Sequence, residues 1–176
     1  RQLYGYAGGD PINFSDPFGL CPKRLTGRPC GNPLGGQALN VRISESNLDV
    51  GMFGPVRDGG RTMHRGVDIL AMRGGDVTSV DDGFVVDIQS GGAGGNLIKI
   101  GHRDVDGDLV SVSVYMHLAE KPGFAIGAPI AAGQVIGTVG RSGNITDEAT
   151  HLHFELRTSI YGGQIDPIPE LRVNHE

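Results

Sequence analysis

The chain is poor in several things, and each shortage removes a class of function. No stretch of its 176 residues is apolar for long enough to span a membrane as a helix. Basic residues are in the minority: 15 Lys and Arg face 20 Asp and Glu, a formal net charge of -5, which argues against a nucleic-acid binder driven by phosphate contacts. No long amphipathic helical pattern occurs, and no HExxH pair is present to place a metal on a helix. Cysteine is limited to Cys21 and Cys30 in a Gly/Pro-rich stretch. The two could form a disulfide suited to an oxidising compartment, but alone they make no zinc site. The chain opens on Arg1 without a secretory signal and is expected to be a piece of a longer polypeptide.

What is abundant is turn chemistry. Thirty glycines and ten prolines, with 38% hydrophobic residues for a core, favour short strands joined by tight turns. The composition shifts near residue 40, which predicts three parts: turn-punctuated segments over 1–20, a Pro/Gly and basic linker over 21–40, and a β domain over 41–176. Within the last part "DDGFVVDIQ", "NLIKIGH", "DLVSVSVYMHL", "QVIGTVG" and "HLHFELR" read as strands bounded by Gly, Asp or Asn.

The chemistry sits in three short stretches. In "ATHLHFEL" a strand's alternation sends His151, His153 and Glu155 to one face and Leu152, Phe154 and Leu156 to the other. In "LVSVSVYMHL" the same rule predicts a buried face of Val110, Val112, Val114 and Met116. It leaves Ser111, Ser113, Tyr115 and His117 on a polar face from which His117 can look into a cleft. In "MHRGVDIL" a carboxylate, Asp68, stands between two β-branched residues four positions after His64, with Gly66 between them to let the backbone bend. An aspartate there is costly to bury unless it meets a cation. Two imidazoles and a carboxylate suit zinc, and a three-ligand site is catalytic in type, since it leaves a position for water whose pKa the ion lowers toward ~7. His64, Asp68, His117, His151 and His153 are five candidates for three ligand positions. Alternation alone does not say which are ligands, and the remaining histidines are suited to proton transfer.

Taken in order, "FGPVRDGGRTMHRGVDI", "DDGFVV", "GGNLIKIGH", "YMHL", "AAGQVIGTVGRSG", "HLHFEL" and "IDPIPEL" resemble the lysostaphin/LytM-type zinc endopeptidases over roughly residues 51–170. The resemblance implies a mainly β fold, the antiparallel sheets of the duplicated hybrid motif with little helix. It implies Zn2+ held by His64, Asp68 and His153, a catalytic pair of His117 and His151, and hydrolysis of peptidoglycan peptide cross-links. His102 and His175 have no expected role. The chain departs from the family in "SGNITDEATHLH", about two residues longer than usual and carrying Asp147 and Glu148, which puts cleavage specificity in question.

The opening "YGYAGGDPINFSDPFGL" resembles a different thing, the end of an Rhs repeat-associated core with its DPxGL motif. That likeness implies autoproteolytic cleavage between Leu20 and Cys21, releasing residues 21–176 as a toxin. It also implies an antibacterial effector of the type VI secretion kind, acting in the target periplasm, and a cognate immunity protein as partner. Two alternatives from other classes remain: a non-catalytic wall-binding or activator module, and a metalloprotease acting on proteins.

Overall fold

The computed structural model describes residues 31–145 and 149–171. Eleven strands and no helix make up these residues: β1 (Gly54–Arg57), β2 (Thr62–His64), β3 (Val67–Leu70), β4 (Asp76–Thr78), β5 (Gly83–Gln89), β6 (Asn96–Arg103), β7 (Leu109–Leu118), β8 (Pro129–Ile130), β9 (Val135–Thr138), β10 (His151–Arg157) and β11 (Gln164–Ile165). Seven of them form one antiparallel sheet in the order β11-β10-β7-β6-β5-β8, with β3 also paired to β10. β1 with β2 and β4 with β9 form two small antiparallel pairs. This is the expected mainly β, antiparallel architecture, and each stretch read as a strand contains one. Cys21, Cys30 and the DPFGL segment with its Leu20–Cys21 junction lie outside the described residues.

Alternation sorts β10 as anticipated. Leu152, Phe154 and Leu156 join a core with Val67, Ile69, Ile98 and Ile100, while His151, His153 and Glu155 face the other way. β7 departs from expectation. Both of its side-chain faces are covered: Ser111, Ser113 and Tyr115 are as buried as Val112 and Val114. Tyr115, expected on an outer polar face, is a core residue. It packs edge-on against Phe154 with ring centroids 5.3 Å apart, and its hydroxyl accepts the Val80 amide at 2.9 Å. Burial pushes its phenol up to about 12. The valine face is the one that lies beside the site, since Val112, Val114 and Met116 stand opposite Arg157, Glu155 and His153.

Residues 31–40, read from their composition as connector, are packed. Leu34 and Leu39 are fully buried in the core, and Asn40 accepts the amide of Leu70 at 2.8 Å. The chain then runs beside β3, where the Arg42 amide donates to the Asp68 carbonyl and Val41 bridges Ile69. Two leucines five residues apart among Pro and Gly give no strand or helix period, which is why composition hid them.

Candidate active site

Asp68 on β3 and His153 on β10 are cross-strand partners, so the sheet itself brings them together across 85 residues of sequence. His64, the last residue of β2, completes the group. Asp68 Oδ1 lies 2.8 Å from His153 Nδ1 and 3.0 Å from His64 Nε2, and the two imidazole nitrogens are 3.0 Å apart. All three side chains are buried. Among the described residues this is the one cluster of three or more His, Cys, Asp or Glu side chains placed to hold a metal ion. Donor atoms this close must share protons or a metal cation. A tetrahedral ion with bonds of about 2.0 Å separates its ligands by roughly 3.3 Å, so small outward shifts suffice. The donor set therefore fits the expected zinc.

Each ligand atom is aimed by what its side chain does at the other end. His64 donates its Nδ1–H to the Met52 carbonyl at 2.7 Å, which leaves Nε2 as the lone-pair nitrogen. His153 points Nε2 at Glu155 Oε1, 3.1 Å away, leaving Nδ1 toward Asp68. Glu155 is held in turn by Arg157 Nε at 2.6 Å. Carboxylate–histidine–metal arrangements of this kind fix tautomer and ring orientation. Burial alone would lower the His153 pKa, but its bonds to Asp68 and Glu155 raise it to about 9. Burial would likewise raise Asp68 and Glu155, yet their imidazole and guanidinium partners hold both carboxyls below the usual range.

Gly66 serves a different purpose from the bend expected of it. A Cβ there would lie 2.4 Å from the Phe154 carbonyl oxygen and 2.9 Å from His153 Nε2, so glycine is needed for the close approach of the β2–β3 turn to β10.

His117 reaches the site by a break in the pleat. The β6–β7 register shifts between the pairs Asn96–Leu118 and Ile98–Tyr115, which leaves one extra residue on β7, and His117 itself has φ 62°. A bulge with a left-handed residue re-aims the side chain that alternation would have sent toward the core. His117 therefore lines the cleft beside its neighbour Met116. Its Nδ1–H donates to the Ser142 carbonyl at 2.9 Å, so Nε2 is the nitrogen left for the cleft. That carbonyl is fixed by an interlock of two loops. Ser142 Oγ donates to Leu118 O at 2.6 Å and accepts the Asn96 amide at 2.9 Å, and Gly95 and Gly143 approach the opposing backbone closely enough to exclude any Cβ.

His151 mirrors this. Its Nδ1–H donates to Ala149 O at 2.8 Å, and its Nε2 lies 3.7 Å from Asp68 Oδ2. The His117 and His151 rings are 5.2 Å apart. Burial lowers both, His117 to about 4, so each is neutral near pH 7. His102, given no role, is structural: buried between the Asp82 carbonyl and Ser113 Oγ at 2.8 and 2.7 Å. His175 and residues 146–148 of the lengthened loop fall outside the described residues.

All five expected residues thus converge, and Asp68, His117, His151 and His153 line a cavity of about 350 Å³ that also takes in Arg42, Arg57 and Asn144. The match to the family model Peptidase family M23 covers residues 62–167. The chain belongs to peptidase family M23. This M23 domain is 36% identical over 112 residues to the glycyl-glycine endopeptidase ALE-1 of Staphylococcus capitis, covering 62% of the chain and 29% of that protein. It is 31% identical over 118 residues to the peptidoglycan DD-endopeptidase ShyC of Vibrio cholerae, covering 67% of the chain and 25% of that protein. The chain thus spans about a quarter to a third of the length of these relatives. Among solved structures, the catalytic domain of lysostaphin from Staphylococcus simulans superposes with a TM-score of 0.57 at 34% identity, covering 69% of the chain and 89% of that domain. A zinc-containing peptidase from Vibrio cholerae superposes with a TM-score of 0.55 at 28% identity, covering 74% and 39%.

Four features escaped the sequence reading. Glu155 was placed on the correct face without a role, and the Ser142 carbonyl carries no residue-type signal. Arg42 lies outside the quoted stretches, and Arg57 lies inside "FGPVRDGGRTMHRGVDI" but was given no role.

Proposed function

We propose that this M23 domain is a zinc endopeptidase that hydrolyses peptide cross-links of bacterial peptidoglycan. The observation that carries the proposal is the convergence of His64, Asp68 and His153 on one point, faced across a cleft by two neutral imidazoles. His64 Nε2, Asp68 Oδ1 and His153 Nδ1 are the atoms that would hold zinc. The ion, when bound, supplies Lewis acidity to polarise the scissile carbonyl and to acidify a water. The protein's own part is proton handling. His117 Nε2 and His151 Nε2 each accept a proton from the attacking water or return one to the departing amine, because their Nδ1–H groups are committed to backbone carbonyls. The imidazolium so formed also stabilises developing negative charge on the carbonyl oxygen. The test is mass spectrometry of muropeptides after incubating purified sacculi with the zinc-loaded protein. Cross-linked dimers should disappear, and neither a chelated sample nor Asp68→Ala should cut them. Intact dimers with wild-type zinc-loaded protein would end this reading.

The finer proposal concerns deployment. The Rhs-like "YGYAGGDPINFSDPFGL" ahead of the domain supports an effector whose residues 21–176 are released by cleavage after Leu20, act in the periplasm of a target bacterium and are neutralised by a cognate immunity protein. Expression directed to the periplasm should be toxic and cytoplasmic expression should not. Equal toxicity in both would favour a protein substrate instead.

A further inference from the structure

Every polar atom of His117 but one is committed to the loops on either side of it. Its amide donates to the Gly94 carbonyl at 3.0 Å, and its carbonyl accepts the Gly140 amide at 3.1 Å. Its Nδ1–H donates to the Ser142 carbonyl at 2.9 Å, so Nε2 alone is left for the cleft. A non-glycine residue at φ 62° needs such a grip, because the left-handed region is costly for an L side chain unless its surroundings hold it there.

All three of these partners are backbone groups, so His117 is only as fixed as the two loops that carry them. Two side chains tie those loops together. Ser142 Oγ bonds the Leu118 carbonyl and the Asn96 amide, at 2.6 and 2.9 Å. Asn96 Nδ2 reaches the same Leu118 carbonyl at 3.3 Å and the Ala119 carbonyl at 3.2 Å, while its Oδ1 accepts the Ser90 hydroxyl at 2.6 Å. The carbonyl that both side chains grasp belongs to the residue directly after His117. Past Ser142, the Asn144 amide donates to the Ala93 carbonyl at 3.0 Å, which joins the loops a second time. Ala93, Gly94, Asn144 and Ile145 line the cleft. The wall against which a substrate lies and the mounting of His117 are therefore one bonded unit.

We propose that Ser142, with Asn96 beside it, is a positioning residue for the hydrolysis: it acts through His117, whose Nε2 it keeps directed into the cleft. The inference rests on the endopeptidase reading and adds to it two residues that do not line the cleft. Removing the Ser142 hydroxyl leaves the Asn96 amide without its acceptor and the Leu118 carbonyl with one donor fewer. The bulge then loosens, and the ring can swing or place its proton on Nε2. Substrate binding keeps its contacts, so the loss belongs to turnover rather than to KM.

The experiment measures kcat and KM on a cross-linked muropeptide dimer for the wild type, Ser142→Ala, Ser142→Thr and Asn96→Ala, each zinc-loaded and checked by circular dichroism. NMR of the His117 ring nitrogens in the substrate-free proteins accompanies it. Ser142→Ala should lose roughly 10- to 100-fold in kcat with KM and zinc content kept, since misplacing a catalytic group by about 1 Å costs on the order of 100-fold. Ser142→Thr, which keeps the hydroxyl, should restore most of the rate. Asn96→Ala, which keeps its amide on Ser142 Oγ, should lose less but again in kcat, and it carries the test should Ser142→Ala not fold. The ring should report Nδ1–H and a bare Nε2 in the wild type and a mixture of tautomers in Ser142→Ala. Folded variants with the wild-type kcat, or slow ones whose His117 signals are unchanged, would overturn the positioning role while leaving the endopeptidase reading intact. Wild-type protein that cuts no cross-link would instead remove the reading on which the proposal rests.

Discussion

Glu155→Ala is the perturbation that most directly probes how the metal seat is built. Glu155 does not touch the point where the three donors meet. It accepts from His153 Nε2 at 3.1 Å and from Arg157 Nε at 2.6 Å, with its side chain only 4% exposed. Removing it frees the His153 ring to rotate or to place its proton on Nδ1, the nitrogen the metal needs. Loss of such an outer partner typically costs 10- to 100-fold in metal affinity, about 1.4–2.8 kcal/mol. The same change strands the Arg157 guanidinium, whose remaining contact is the Ile160 carbonyl at 3.2 Å. Breaking a buried pair by deleting one partner costs about 3–5 kcal/mol, so denaturation should show a separate loss of stability near the lower end of that range. Glu155→Gln separates the two effects, because its amide oxygen can still accept from His153 while the charge partner of Arg157 is lost. Competition against a chromophoric chelator measures zinc affinity, and urea unfolding measures stability. The reasoning fails if folded Glu155→Ala binds zinc as tightly as the wild type, or if Gln is as damaging to zinc affinity as Ala.

The purified protein should carry about one zinc per chain by metal analysis, with Asp68→Ala losing most of it and His117→Ala retaining it while inactive; metal retained by Asp68→Ala would refute the ligand assignment. Alanine at His117 or His151 should lower turnover ~10²-fold or more with zinc content and circular dichroism unchanged, and a near-wild-type rate would remove that residue from the mechanism. Gly66→Ala places a methyl 2.4 Å from a backbone oxygen of β10, so unfolding should show a loss of about 1–3 kcal/mol together with weakened zinc binding; wild-type stability would mean that the turn yields freely. N-terminal sequencing of the naturally processed protein should begin at Cys21, and any other start would discard the proposed cleavage.

The sequence disclosed the parts of the site that depend on period. In β10 the alternation of His151, His153 and Glu155 with Leu152, Phe154 and Leu156 follows from strand geometry, and a hydrophobic face of that regularity admits one register. His64 and Asp68 were visible because a carboxylate between Val67 and Ile69 is expensive unless a cation answers it. What stayed hidden depends on neighbours that sequence does not name. Nothing in "VYMHL" signals that His117 adopts a positive φ, so alternation placed it by a cleft through faulty reasoning: the bulge, not the polar face, turns it there. Tyr115 and Ser113 looked solvent-facing because a strand covered on both sides can still alternate when its polar groups find internal partners, here the Val80 amide and the His102 ring. Leu34 and Leu39 went unread because burial by a loop leaves no period.

The pairing of Asp68 with His153 also sets when in folding the site comes into being. These two ligands are joined only by completion of the β3–β10 ladder, a contact that closes 85 residues of chain and is therefore among the slowest kind to form. His64 and Asp68 alone, four residues apart, offer an ion two of its three protein ligands. Zinc therefore gains its full grip only after the central strands have docked. Under the proposed ligand set it acts as a clasp on a finished sheet rather than as a nucleus for it.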